Sequence, residues 1–357
     1  MLRKGTFILM KTKIQDMTSG SPGRLIILFA IPLMLGNICQ QLYTMVDTMV
    51  VGQVAGVEAL AALGAVDFLM WVVTGISTGL TQGFSIQLSQ YYGAKDFENL
   101  RKSLAHSYRL TAFIAAGVFI LSQSFASLVL TGLHTPSNII GMSLLYLRII
   151  FCGIPATAAY NMFASALRAM GNSKTPLTAM IIASVLNVSL DLLFVAGFGW
   201  GVAGAAIATV IAQSFSAVYC FLILRRIDIV HLTRADFMPA SGMNARLMKL
   251  GIPVVFQNII IGVGGLVVQY VINGYGFLFV AGFTATNKLY GLLEMAAISY
   301  GYAIVTYVGQ NLGAGKIDRI RKGVRSSMLL SLLTSLIISA AMFLFGKNIL
   351  SLFISGE

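Results

Sequence analysis

Nine stretches of this chain are apolar for long enough to cross a bilayer, at 25–50, 59–90, 107–131, 142–167, 176–198, 202–224, 247–272, 279–309 and 325–354. Between them stand Gly52 to Gly56, Thr135-Pro136-Ser137, Gly171 to Pro176 and Gly197-Phe198-Gly199-Trp200-Gly201, residue types that turn a chain. The pattern predicts nine transmembrane helices. Several exceed the roughly 20 residues that a span requires, which implies tilt or extension beyond the membrane. No interval is large enough for a separate soluble domain.

The runs repeat. Ile31-Pro32 with Asn37-Ile38 returns as Ile252-Pro253 with Asn258-Ile259, and Gln90, Gly93-Ala94 and Arg101-Lys102 return as Gln310, Gly313-Ala314 and Arg321-Lys322. A register held over so many positions marks a duplicated bundle, the architecture of many secondary transporters. The predicted fold is all-α and polytopic, two six-helix bundles related by the repeat, the second represented by three helices. The expected segments are a cytoplasmic amino-terminal stretch 1–24, a first bundle 25–224, a linker 225–246 and a partial second bundle 247–357.

Composition agrees: 57% of residues are hydrophobic and 10% charged, against about 25% charged in an ordinary soluble domain. The net charge of +12 does not point to nucleic acid, because the basic residues lie between apolar runs and form no wettable face. Of 24 Lys and Arg, 21 fall in the amino end and the segments 95–109, 168–174, 225–249 and 316–325. All of these belong to one side, so the amino terminus is expected to be cytoplasmic. No small-residue cleavage pattern marks a signal peptide. Cys39, Cys152 and Cys220 stand far apart in apolar runs and read as small core residues.

A charge near the bilayer centre costs about 2.5 to 3.5 kcal/mol on insertion scales, so each one is a candidate for function. Asp47, Asp67, Arg148, Asp191, Lys288 and Glu294 lie within apolar runs. Asp67 and Arg148, in outer parts of neighbouring spans, are expected to serve packing. Lys288 and Glu294 lie six apart, too far around one helix to pair. Asp47 and Asp191 lie deep, and Asn187 precedes Asp191 by four, on the same helix face. Thr209 adds a hydroxyl at similar depth. Two carboxylates, an amide oxygen and a hydroxyl suit a small cation; two close carboxylates sharing a proton would serve as well.

The residues also resemble a family. Asp16-Met17-Thr18-Ser19-Gly20, Ile31-Pro32, Gln40-Gln41, Tyr43 and Asp47 through Val51-Gly52 are similar to the opening of multidrug and toxic compound extrusion transporters. Arg168-Ala169-Met170-Gly171-Asn172-Ser173-Lys174-Thr175-Pro176 and Gln310-Asn311-Leu312-Gly313-Ala314-Gly315 resemble later junctions of that family. The resemblance implies twelve helices in two bundles around a cleft, of which this chain contains nine; on that ground the nine-helix chain is expected not to transport alone. It also implies a cation site at Asp47, Asn187, Asp191 and Thr209.

The function expected is secondary antiport, exporting lipophilic or cationic drugs or metabolites in exchange for Na+ or H+, without a cofactor. The alternative is a flippase for lipid-linked saccharides of the same superfamily, which would need a strongly basic lumen; the deep charges here are mostly acidic. An enzyme is disfavoured, since the chain has no His-Glu-x-x-His and only His106, His134 and His231. Pro32 is a candidate helix kink, with a packing bend shared with Pro253 as the plainer reading. Gln41, Tyr43, Tyr160 and Asn161 are candidates for the substrate cleft. No metal site is expected beyond Na+ at the coupling site. The expected surroundings are the inner membrane of a prokaryote, a monomer in lipid, and an organic cation as substrate.

Overall fold

In a computed structural model of the chain, residues 14–133, 135–273 and 277–351 are described. Each predicted run is helical over its described residues except Gly153 and Phe198. The helices are α1 (Pro22–Val54), α2 (Val57–Gly93), α3 (Phe97–Gly132), α4 (Ile140–Cys152), α5 (Ile154–Ala169), α6 (Lys174–Asp191), α7 (Gly201–Leu224), α8 (Met243–Asn273), α9 (Phe277–Gly313) and α10 (Ile317–Ser351). Among the described residues seven helices are long and apolar enough to cross a membrane, and the bent pair α4–α5 makes an eighth span. The 37-residue α9 covers the remaining run.

Three departures from the expected boundaries have local causes. α3 begins at Phe97, ten residues before the apolar run, because Asp96 caps it by accepting the Asn99 amide at 3.1 Å. The fourth span bends by 46° between α4 and α5, where Pro155 lacks the N–H that would continue the ladder. The fifth span ends in a six-residue π-helix, Leu192–Gly197, directly after Asp191. π segments occur often at functional sites.

α1 to α7 enclose two apolar cores. One gathers Val51, Leu63, Val66, Leu130, Leu147, Phe151 and Val202 from α1, α2, α3, α4 and α7. The other, nearer the basic loops, gathers Leu80, Phe84, Leu104, Met162, Leu167 and Cys220. Cys220 is buried as expected, whereas Cys152 is exposed; the outer face of a membrane helix meets lipid and leaves an apolar thiol there without penalty.

α8 and α9 pack against α2 and α1 with a quasi-twofold relation that explains the repeated motifs. Asn37 of α1 donates to Ser299 of α9 at 3.2 Å, and its repeat partner Asn258 of α8 donates to the Gly75 carbonyl of α2 at 3.1 Å. A methyl group at Gly93 would overlap the Gln310 carbonyl, and one at Gly313 would overlap the Gln90 carbonyl. The repeated Gln and Gly are thus two ends of one reciprocal backbone contact, which admits no side chain.

A strap formed by residues 14–20 lies across this contact. The Gln15 amide donates to the Gly171 carbonyl at 3.2 Å. The Met17 amide donates to Gln310 Oε1 at 3.0 Å, while Gln310 Nε2 donates to the Ala169 carbonyl at 2.8 Å. Asn311 Nδ2 and Arg319 Nη2 donate to the Met17 carbonyl, and Lys316 Nζ donates to that of Thr18. Arg168 lies over the Tyr302 ring, 4.6 Å from its centre. The hydrogen bonds named here between the two halves run from this basic end to the level of Asn37 and Asn258.

Candidate cation site

The register of α1, α6 and α7 sets the heights of the polar side chains. Ser184 Oγ donates to the Cys39 carbonyl at 3.4 Å, which puts these residues level on the parallel helices α6 and α1. Asp47 is eight residues above Cys39 and Asp191 seven above Ser184, so at about 1.5 Å rise per residue the two carboxylates stand at nearly one height. Ser216 Oγ reaches the Ala179 carbonyl at 3.5 Å, and since α7 runs the other way, Thr209 stands level with Asn187. The bond confirms it: Asn187 Nδ2 donates to Thr209 Oγ1 at 3.4 Å. The structure therefore brings the four predicted residues onto one face of each of three touching helices.

Burial and hydrogen bonding give this cluster its character. Asp47 is 5% exposed, and Asn187 and Asp191 are fully buried. Asp47 Oδ1, Asn187 Oδ1 and both carboxylate oxygens of Asp191 have no hydrogen-bond partner within the protein. Asp47 and Asp191 stand at nearly one height on neighbouring helices. Buried carboxylates without partners are expensive, and two of them near each other more so. Every one of these free atoms is an acceptor, so what the site lacks is positive charge, supplied by a cation or by protons.

Sequence reasoning passes over one neighbour of Tyr43. Gln213, one turn from Thr209 on α7, donates from Nε2 to the Tyr43 hydroxyl at 3.4 Å, and its Oε1 is buried without a partner. The signal available was spacing: Thr209 and Gln213 are four apart, as are Asn187 and Asp191, and Tyr43 and Asp47.

The remaining candidates are dispersed. Tyr43 is half-buried one turn below Asp47, and Tyr160 is half-buried on α5. Asn161 Nδ2 donates to Thr78 Oγ1 of α2 at 3.2 Å. Gln41 is half-buried on α1, about 200° around the helix from Tyr43. Pro32 is buried inside α1, fifteen residues before Asp47. Asp67, Arg148 and Glu294 are exposed, and the side chain of Lys288 lies outside the described residues. Among the described residues no group of three or more His, Cys, Asp or Glu could hold a metal.

The MatE family matches residues 32–193 and 253–357, two segments whose starts are one repeat apart. This chain is a MATE-family transporter. The probable multidrug resistance protein YpnP of Bacillus subtilis is 32% identical over 343 residues, covering 96% of this chain and 77% of the relative. YoeA of the same organism, also a probable multidrug resistance protein, is 28% identical over 96% of this chain and 76% of its own. NorM of Thermotoga maritima, again a probable multidrug resistance protein, is 26% identical over 92% of this chain and 72% of its own. Among solved structures, an outward-facing multidrug resistance MATE transporter has a TM-score of 0.90 at 23% identity, covering 97% of this chain and 77% of that one. The MATE chain is accordingly an all-helical, multi-pass membrane protein of a drug-export family, and its relatives are transporters.

Proposed function

We propose that this MATE transporter exports lipophilic or cationic drugs or metabolites across the plasma membrane in exchange for Na+ or H+, with the coupling cation held by Asp47, Asn187, Asp191 and Thr209. The observation that carries the reading is the cluster of buried, unpartnered acceptor oxygens around two carboxylates. Such a cluster is stable when loaded with positive charge and unstable when empty, so loading changes the energy of the bundle, as ion coupling requires.

The amino terminus and the basic loops face the cytoplasm in this reading. The strap and the reciprocal glycine contact close that side, and the cleft opens outward. Tyr43, Tyr160, Asn161 and Gln41 contribute to the cleft, where aromatic faces attract organic cations. Loading at Asp47 is felt one turn below at Tyr43, and Pro32 lets α1 bend between the site and the cytoplasmic closure. Exchange follows if cation and substrate stabilise opposite arrangements of the bundles. The protein acts as a monomer. Flippase activity on anionic lipid-linked saccharides is not favoured, because the buried charges of the first seven helices are acidic.

The test is efflux of a cationic dye from vesicles carrying the transporter with both six-helix bundles, under an imposed sodium gradient and, separately, a proton gradient. One gradient drives efflux, and Asp47→Asn or Asp191→Asn abolishes it. Gradient-driven efflux that survives both substitutions would overturn the site assignment.

A further inference from the structure

We infer that the seam where α3 meets α8 binds an anionic phospholipid of the leaflet at the basic end, its phosphate on Arg109 and Lys249 and an acyl chain in the furrow beyond them. Both helices run away from the basic end, and they meet there at a polar joint. His106 Nε2 of α3 donates to the Met238 carbonyl at 3.0 Å, and His106 Nδ1 meets Asn244 Oδ1 of α8 at 2.7 Å. Arg109 follows His106 by three residues and Lys249 follows Asn244 by five, so at about 1.5 Å rise per residue they stand about 4.5 and 7.5 Å past the joint. The apolar runs begin at 107 and 247. Both cations are thus at the edge of the hydrocarbon, where long basic side chains reach the headgroups.

Each cation heads a face that the described residues leave uncovered. Phe113, one turn after Arg109 on the same face of α3, is 80% exposed, and Ile252 and Phe256, three and seven residues after Lys249 on α8, are exposed as well. A methyl group at Gly117, a further turn along α3, would have no neighbour within 4 Å. The furrow is apolar and open for about three helical turns past the joint. Met238, 66% exposed, adds an apolar side chain at the joint itself.

Charge decides the occupant. Arg109 gives one N–H to the Phe237 carbonyl at 2.9 Å, and among the described residues neither Arg109 nor Lys249 has a carboxylate partner. The acid of the adjoining linker is already spent: Asp236 accepts from the Thr233 amide and hydroxyl at 2.7 and 2.8 Å and pairs with Arg101 at 3.7 Å. At the opposite corner, by contrast, Lys316 and Arg319 are engaged by the strap carbonyls of Thr18, Met17 and Gly20. A phosphodiester supplies the missing negative charge and accepts from both side chains, and the acyl chain attached to it covers the furrow. A zwitterionic head would bring a cation of its own to a site that holds two, and a free phosphate would leave the furrow bare. Because α3 belongs to the first bundle and α8 to the second, a lipid held here ties the two halves beside their polar joint.

The experiment is thermal unfolding of the purified chain in an uncharged detergent, titrated with phosphatidylglycerol and, separately, with phosphatidylcholine or inorganic phosphate. A ligand of the folded state raises the unfolding temperature as its concentration passes its dissociation constant. Phosphatidylglycerol stabilises wild type beyond phosphatidylcholine, and inorganic phosphate does not reproduce the effect. The double variant Arg109→Gln, Lys249→Gln raises the half-effective phosphatidylglycerol concentration at least about ten-fold, which corresponds to about 1.4 kcal/mol. Arg225→Gln with Arg226→Gln removes the same charge from two exposed positions at the end of α7 and shifts it by less than about three-fold. Lys249→Gln alone breaks no contact within the protein, so the weakening of at least about three-fold expected from it cannot come from a loosened linker. Equal stabilisation by the two lipids, equal losses in the two double variants, or unchanged affinity in Lys249→Gln would each overturn the inference. Stabilisation by inorganic phosphate matching that of phosphatidylglycerol would make the site one for a free anion and overturn it too.

Discussion

Replacing Gln310 tests the closure at the basic end. Its side chain is fully buried and serves two backbone groups, accepting the Met17 N–H at 3.0 Å and donating to the Ala169 carbonyl at 2.8 Å. Met17 and Ala169 are themselves fully buried. Gln310→Leu keeps the volume but strands both groups, and each buried unsatisfied group costs about 1–3 kcal/mol. The penalty is therefore about 2–6 kcal/mol, of which the lower bound corresponds to about 30-fold in an opening equilibrium. The protein can relieve it by releasing residues 14–20, without unfolding the bundle. Amide hydrogen exchange read by mass spectrometry should show peptides containing Met17 exchanging at least about 30-fold faster, while peptides from α6 stay protected. Gln310→Glu, which keeps the acceptor for Met17, should recover part of the protection. If Gln310→Leu leaves Met17 exchange within about three-fold of wild type, the strap is not held by this side chain.

Other outcomes follow from the same contacts. Gly313→Ala places a methyl group against the Gln90 carbonyl, so spin labels at 94 and 314 should report a longer mean separation; an unchanged distance would contradict the close contact. Thr209→Val removes the acceptor of a long 3.4 Å bond, and its cost should stay near 1 kcal/mol, with sodium affinity falling several-fold, not vanishing as for Asp191→Asn. At Asp16 burial raises the carboxyl pKa, but hydrogen bonds from Thr18 and Ser19, with Lys316 nearby, outweigh it and hold the value below the ordinary 3.8. A depressed folded-state value means that the contribution is complete above about pH 4 and is lost as pH falls through the folded value. Strap protection should be flat from pH 8 to 5 and drop below about pH 4, and Asp16→Asn should remove that drop.

Much of this could be read in the sequence, because membrane spans obey one strong rule and the repeat fixes their order. The spacing of Asn187 and Asp191 carried the site, since four residues on a helix is one face whatever surrounds it. Gln213 was passed over because an uncharged amide in an apolar run raises no cost that hydropathy detects; its meaning depends on α7 lying against α1, a tertiary fact. Asp96 is a legible cap, but it lies outside the apolar run, so hydropathy alone puts the start of α3 ten residues late. The π-helix after Asp191 has no sequence signal that the residues supply. The repeated Gln and Gly at 90–93 and 310–313 were visible as a pattern, while their reciprocal contact needed both helix ends in space.

The account's central claim is that the buried oxygens of the first seven helices hold the coupling cation. Equilibrium binding of a sodium tracer to the purified protein, for wild type and for Asp47→Asn and Asp191→Asn, tests it most directly. One saturable sodium site in wild type, or proton uptake in its place when the pH is lowered, absent from both variants, is the predicted result; cation binding that persists with undiminished affinity in either variant would contradict it.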